Sequence, residues 1–287
     1  MALKMVEDLL ESLHQAEVLD GVAKPISKFV GELIPRGVVK DALSGTWLGH
    51  PLHPMLTDLA IGSWTSAFVI DAVGGPGGAA AADTLIGIGV VSALPTAAAG
   101  LADWSDMMGA ERRVGLVHAG ANTVAVGLYA WSWLARRKGK RGRGVALGLV
   151  GATVATVGGY LGGHLSYRQG VNVDRNAWRD GPADWVDTID ESDLDEGTPV
   201  VVSAGDAEVL LVRRGATIHA IGDVCSHAGG PLHEGDVDGD CVTCPWHAST
   251  FRLTDGSAVH GPATAPQPVF ETQVAGGRVQ VRQRSTL

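Results

Sequence analysis

All three cysteines of the chain and three of its ten histidines fall between positions 225 and 247. Two half-motifs organise them: Cys225-Ser226-His227 and, 16 residues further on, Cys244-Pro245-Trp246-His247. Thiolates are soft anionic ligands, and neutral imidazoles bind metal without adding charge. A Cys-x-His loop facing a Cys-x-x-His loop can therefore offer two thiolates and two imidazoles to one binuclear centre. Cysteines this closely spaced favour a metal over a disulfide framework. A second arrangement draws on the same stretch, a zinc site using Cys241-x-x-Cys244 with Cys225 and one histidine. It leaves His227 or His247 without a role. Otherwise Cys241 reads as a small strand residue, and His233 and His260 as surface residues.

The elements that must position these loops are short strands. Residues 200–203, 208–213 and 217–221 alternate with period two, as half-buried strands do. Residues 269–274 and 278–282 flank Ala275-Gly276-Gly277, a hairpin signal. The expected domain is a small antiparallel β fold over 197–287 with the Cys/His stretch inserted as two loops. An acidic connector at 166–196 precedes it.

The two half-motifs, their spacing, Pro245 and the flanking strands resemble the Rieske [2Fe–2S] family over about residues 185–284. The run from Gly261 to Phe270 resembles the turn that closes the cluster loops in Rieske ferredoxins. The resemblance implies a [2Fe–2S] cluster with Cys225 and Cys244 on one iron, and His227 and His247 on the other. Rieske proteins of the respiratory cytochrome bc type carry an extra cysteine in each loop, joined as a disulfide. Gly230 and Trp246 stand there instead. Ser249 matches a serine that faces a cluster sulfur in that type, while Phe251 replaces a tyrosine. A hydrogen bond to sulfur stabilises the reduced state, so the missing hydroxyl implies a lower potential. Ala248 replaces the usual glycine. The domain thus resembles the ferredoxin type. Rieske oxygenases continue into a large mononuclear-iron domain, and no such domain follows in the sequence. The expectation is an electron carrier or oxidoreductase component that is not an oxygenase by itself. The alternative is a redox-sensing or interaction module without a membrane cofactor.

Upstream, residues 54–73, 84–102, 114–134 and 144–163 are apolar and about 20 residues long, enough to span a bilayer as helices. They are rich in Gly, Ala, Ser and Thr, which permit close helix contact in lipid. Trp47 and Trp104 sit near one set of ends, and Trp131 and Trp133 near the other, as aromatic belts do. The fold class expected is multidomain: a four-helix transmembrane bundle over 48–165, then the small all-β domain. Residues 1–47 form an N-terminal amphipathic region that lies on the membrane surface or on its own domain. No signal-peptide pattern opens the chain. Gly49-His50-Pro51-Leu52-His53-Pro54 resembles the signature of a bacterial four-helix membrane domain of unknown function, over about 35–165.

His50, His53, His118 and His164 fall at the same side of an up-down-up-down bundle as the β domain. Imidazoles facing one another across a bundle are frequent haem or metal ligands. The four are candidate ligands for haem b first, and for a non-haem metal or quinone site second. The competing reading is interfacial histidines that bond backbone or lipid.

Charge narrows the partners. Residues 1–164 are neutral, and residues 165–287 carry the whole net charge of −9. That argues against nucleic acid, whose phosphates need clustered cations. It leaves a redox partner protein or quinone, with membrane lipid around the bundle. The loop 136–143 holds six cations in eight residues. Positive-inside reasoning places it in the cytoplasm of a bacterium, and the Rieske domain of this multi-pass cell-membrane protein on the outer face. The pair Arg136-Arg137 also resembles a twin-arginine export signal. The missing bc-type disulfide argues for the cytoplasmic face.

Overall fold

A computed structural model describes residues 2–284. Met1 and residues 285–287, at the edges of the expected N-terminal region and β domain, lie outside the described residues. The chain divides into two compact units. One comprises Met1–Ile34 and Leu52–Val171, the other Pro35–Pro51 and Asn172–Leu287.

The first unit is helical: α1 (Ala2–His14), α2 (Asp20–Leu33), α4 (Leu52–Val73), α5 (Ala79–Trp104), α6 (Gly109–Arg137) and α7 (Arg141–Tyr167). With α3 (Val38–Ser44) of the second unit, the described residues hold seven α-helices. The expected count of four is therefore corrected. The three additional helices, α1, α2 and α3, all fall within the N-terminal amphipathic region 1–47, and the bundle count does not include them.

Helix α1 packs on its own unit. Leu10 is buried with Val114, Leu161 and Leu165. Arg113 fixes the following turn, donating through Nε to Asp20 at 2.8 Å and through Nη1 to the His14 carbonyl at 2.6 Å. The Arg113 guanidinium holds the Asp20 carboxyl well below the usual carboxylate range.

Three helices are long and apolar enough to cross a membrane by length and composition, covering residues 52–73, 76–104 and 141–167. The expected span at 114–134 is not among them, because α6 carries His118 and Asn122 in its middle. Inside the unit, Trp64 of α4 stacks on Tyr129 of α6 at 4.0 Å between ring centres.

Among the described residues, the second unit holds ten strands in two antiparallel sheets. These are β1 (Val186–Asp190), β2 (Val200–Ala204), β3 (Ala207–Arg214), β4 (Thr217–Gly222), β5 (Asp236–Asp238), β6 (Cys241–Thr243), β7 (Thr250–Arg252), β8 (Ala258–His260), β9 (Val269–Ala275) and β10 (Arg278–Gln283). The larger sheet runs β1-β10-β9-β4-β3-β2 and the smaller β5-β6-β7-β8. Strand β3 shows why both faces are covered. Val209 and Leu211 enter one core with Val279 and Val281, while Leu210 and Val212 enter another with Val242 and Phe251. Successive strand side chains point to opposite faces, so a run of four apolar residues needs a layer on each side.

The β9–β10 turn is the expected hairpin. Ala275 pairs with Arg278, and Gly276 and Gly277 hold positive φ of 60° and 81°, which a two-residue type I′ turn requires. Strand β1 lies in the stretch read as connector; its alternation, Val-Asp-Thr-Ile-Asp, is too acidic to read as a strand before its β10 partner is known.

Candidate metal centre

The first loop leaves β4 and folds back on itself. Leu232 N–H donates to the Asp223 carbonyl at 2.9 Å, Cys225 N–H to the Gly230 carbonyl at 2.9 Å, and Gly229 N–H to the Cys225 carbonyl at 2.8 Å. Gly229 has φ +83° at the turn. The second loop joins β6 to β7. Cys244 N–H donates to the Ser249 carbonyl at 2.8 Å and Ala248 N–H to the Cys244 carbonyl at 3.0 Å. Ala248 holds φ +59°, the left-handed region that glycine adopts more cheaply. That accounts for a glycine being usual at this place.

Both loops are tied to the segment after β8. Ser249 Oγ accepts Ala263 N–H at 2.9 Å, and Ser226 Oγ donates to the Ala265 carbonyl at 2.8 Å. Asn176 supports the first loop from the other side, donating to the Val224 carbonyl at 2.8 Å.

These constraints bring Cys225, His227, Cys244 and His247 together. Both thiols are buried, 1% and 2% exposed, and share a core with Leu232, Val242 and Phe251. The imidazoles of His227 and His247 stand edge to face with ring centres 5.0 Å apart. The Cys244 thiol is held down, to about 6, by the hydrogen bond from Cys225 and the amides of Trp246 and His247. That bond and burial push the Cys225 thiol up. Burial pushes the His227 imidazole down to about 3, helped by His247, Lys40 and Arg175. A neutral imidazole and a stabilised thiolate are the forms that bind metal.

The residues fit a binuclear cluster. His227 Nδ1 is buried with no hydrogen-bond partner, a state that costs free energy unless a ligand satisfies it. Among the described residues, no three or more His, Cys, Asp or Glu gather around one ion. A binuclear centre asks only two protein ligands of each iron. Cys241 is half-buried in β6, opposite Arg252 of β7. His233 Nδ1 is committed to Asp223 Oδ2 at 2.8 Å. His260 is exposed and bonds Asp41. The positions of the absent bridging cysteines abut: a Cβ on Gly230 would lie 3.0 Å from Trp246 Cγ and 2.8 Å from Cys244 Sγ. The indole occupies the space a bridge would use.

Sequence reasoning missed the contribution of residues 35–51. Asp41 of α3 accepts Gly261 N–H at 2.9 Å and pairs with His260 Nδ1 at 2.9 Å. Thr46 Oγ1 donates to the Ala263 carbonyl at 3.1 Å. The segment thus braces the turn that holds Ser249. It also brings Lys40, only 4% exposed, and Arg36 to an otherwise acidic unit. No local pattern announces a contact made across 220 residues.

The helical unit brings together two pairs of histidines. His53 and His118 have ring centres 6.3 Å apart. His164 Nε2 lies 3.0 Å from Nε2 of His14, a residue the sequence reading did not single out. His50 belongs to the other unit and is exposed.

An antiparallel β unit presenting two Cys/His loops in this way defines a Rieske-type domain. The comparisons agree: residues 184–271 match the family described as Rieske [2Fe-2S] domain. The chain belongs to that family, and its residues 49–175 match the family described as predicted membrane protein (DUF2231). It is 36% identical to the ferredoxin CarAc of Metapseudomonas resinovorans over 98 residues, 34% of this chain and 92% of the relative. It is 34% identical to the anthranilate 1,2-dioxygenase ferredoxin subunit of Burkholderia cepacia over 101 residues, again 34% and 92%. Among solved structures it is similar to the ferredoxin of carbazole 1,9a-dioxygenase from Nocardioides aromaticivorans IC177. That match is 27% identical with a TM-score of 0.33, covering 34% of this chain and 95% of that one.

Proposed function

We propose that this protein is a membrane-anchored Rieske iron–sulfur protein that accepts and passes single electrons. Cys225 and Cys244 would hold one iron, and His227 and His247 the other. The observation that carries the reading is the unpartnered Nδ1 of buried His227, beside His247 and two buried thiols. When bound, the cluster supplies reversible one-electron storage. The surrounding residues exclude water, fix the loops and set the potential. The two relatives named above are ferredoxins, one of them a subunit of anthranilate 1,2-dioxygenase, so an oxygenase or reductase protein is the first partner class to test, with a quinone second. The proposal extends to a second redox centre, haem b, another metal or a quinone, in the helical unit.

Phe251 decides the expected potential. Its ring is buried in the core that holds Cys225 and Cys244, where a tyrosine hydroxyl could donate to sulfur. The midpoint is expected in the lower part of the Rieske range of about −150 to +300 mV. Phe251→Tyr should raise it. A reversible one-electron redox titration followed by EPR measures both. A wild-type midpoint in the upper half of that range, or a cluster that does not cycle, counts against the reading.

Orientation follows from the loop 136–143. Arg136 and Arg141 pair with Asp71 and Asp83, so Arg137, Lys138, Lys140 and Arg143 carry the asymmetry. Four cations in one short loop still favour the cytoplasm for that loop, and therefore the outer face for the Rieske domain. A cysteine placed at Gly139 should resist a membrane-impermeant thiol reagent in intact cells, while one at Ser203 should react. The reverse labelling would put the domain in the cytoplasm.

A further inference from the structure

The four long helices form two hairpins that treat one histidine each in the same way. In the first hairpin, His53 of α4 bonds through Nδ1 to the Thr96 carbonyl of α5 at 2.9 Å. In the second, His118 of α6 bonds through Nδ1 to the Gly158 carbonyl of α7 at 2.8 Å. A carbonyl only accepts, so each Nδ1 carries the ring proton and each Nε2 keeps its lone pair.

The receiving helices match as well. Four residues after each accepting carbonyl, on the same helix face, stands a glycine: Gly100 in α5 and Gly162 in α7. A Cβ on Gly100 would lie 2.7 Å from the His53 ring, and one on Gly162 3.0 Å from the His118 ring. Each imidazole approaches the facing helix backbone most closely through Cε1, at a place where a side chain would crowd it. Asn122 Nδ2 donates one hydrogen to the His118 carbonyl at 2.9 Å and sits 3.3 Å from both ring nitrogens of His118, so its second hydrogen is a weak donor that a metal at Nε2 would displace.

One part-buried histidine bonded to a carbonyl is an ordinary satisfied polar residue. Two in one local frame, from opposite hairpins, form a pair of metal-ready ligands. Ligating histidines almost always donate their other ring N–H to a carbonyl or carboxylate, which fixes the tautomer and the ring. The rings are edge to face with centres 6.3 Å apart. Two metal–imidazole bonds of about 2.0–2.1 Å on opposite sides of one ion, extended to the ring centres, span roughly 6 Å.

We infer that His53 and His118 are the two opposed ligands of one transition-metal centre inside the helical unit. The inference rests on the reading of that unit as the seat of a second redox centre. It selects two of the four candidate histidines and sets His50 and His164 aside. The shared chemistry is bis-imidazole ligation, by the iron of a haem or by a bare ion.

The test uses the full chain, expressed with iron and 5-aminolevulinate and purified in detergent with its cluster. Optical spectra and metal analysis read the new centre, and EPR of the reduced cluster reads the β unit separately. The wild type should hold about one metal per chain beyond the cluster irons. His53→Ala and His118→Ala should each lose it at least tenfold while the cluster signal stays. His50→Ala and His164→Ala should keep it. A Soret band with reducible α bands identifies haem, and stoichiometric metal without a Soret band identifies a bare ion. Either supports the inference. His118→Met, which keeps a ligand atom, should retain metal with a shifted spectrum, and so guards against a folding failure of the alanine variants. A wild type with neither haem nor stoichiometric metal overturns the inference, as does full metal content in His118→Ala. A wild type that binds this metal but lacks the cluster signal would sink the Rieske assignment and leave the bis-imidazole site standing.

Discussion

Cys225→Ser and His247→Ala should each abolish the EPR signal of the reduced protein, while Cys241→Ser should leave it intact. The signal expected has an average g below the free-electron value, as imidazole-ligated [2Fe–2S] clusters show. The contrast between the cysteines follows from their places. Cys225 and Cys244 are almost fully buried and hydrogen-bonded to each other at the tips of two loops. Cys241 is only half-buried, in the strand before Cys244. Strand alternation separates it from the inward-facing Val242. His247→Ala would remove one of the two proposed ligands of one iron and leave His227 with no neighbouring imidazole. Loss of the signal in Cys241→Ser with retention in Cys225→Ser would show that the ligand set is wrong.

The β unit was largely legible in the sequence because its signals are local. Period-two runs located β2, β3, β4, β9 and β10 to within a residue or two, and the Gly-Gly turn gave the last hairpin. The half-motifs carried the Rieske resemblance without help from distant contacts. What stayed hidden was non-local. Strand β1 exists because β10 offers it an edge. The brace from Asp41 and Thr46 joins segments far apart in the chain. The same limit explains the histidines. Sequence topology could gather His50, His53, His118 and His164 at one end of a bundle. Only packing separates the His53–His118 pair from the His164–His14 pair. The four-span expectation erred through α6, whose polar His118 and Asn122 are the residues the site argument uses.

Arg136→Met should destabilise the helical unit by about 3–5 kcal/mol, the usual cost of removing one partner from a buried ion pair. Each of the four long helices contributes one charge to this cluster: Asp71 from α4, Asp83 from α5, Arg136 from α6 and Arg141 from α7. Arg136 is the most buried, with its side chain 1% exposed against 7% for Asp71. It bonds both carboxyl groups and the Ser132 hydroxyl. Asp83 and Arg141 are about a third exposed, so solvent screens their share and the loss at Arg141 should be smaller. Removing Arg136 leaves the Asp71 carboxylate at 7% exposure with Arg141 alone, donating at 2.6 Å. The uncompensated charge, more than the lost bonds, sets the cost. The double variant Arg136→Met/Asp71→Leu restores neutrality and keeps Arg141 on Asp83, so it should recover a substantial part of the loss. Thermal or denaturant unfolding in detergent, with the cluster signal as a separate check on the β unit, measures both. A single variant within about 1 kcal/mol of wild type, or a double variant whose losses simply add, would mean that the quartet does not hold the four helix ends together. Arg136 would then have no structural use in the folded unit, and the reading of Arg136-Arg137 as an export signal would gain weight.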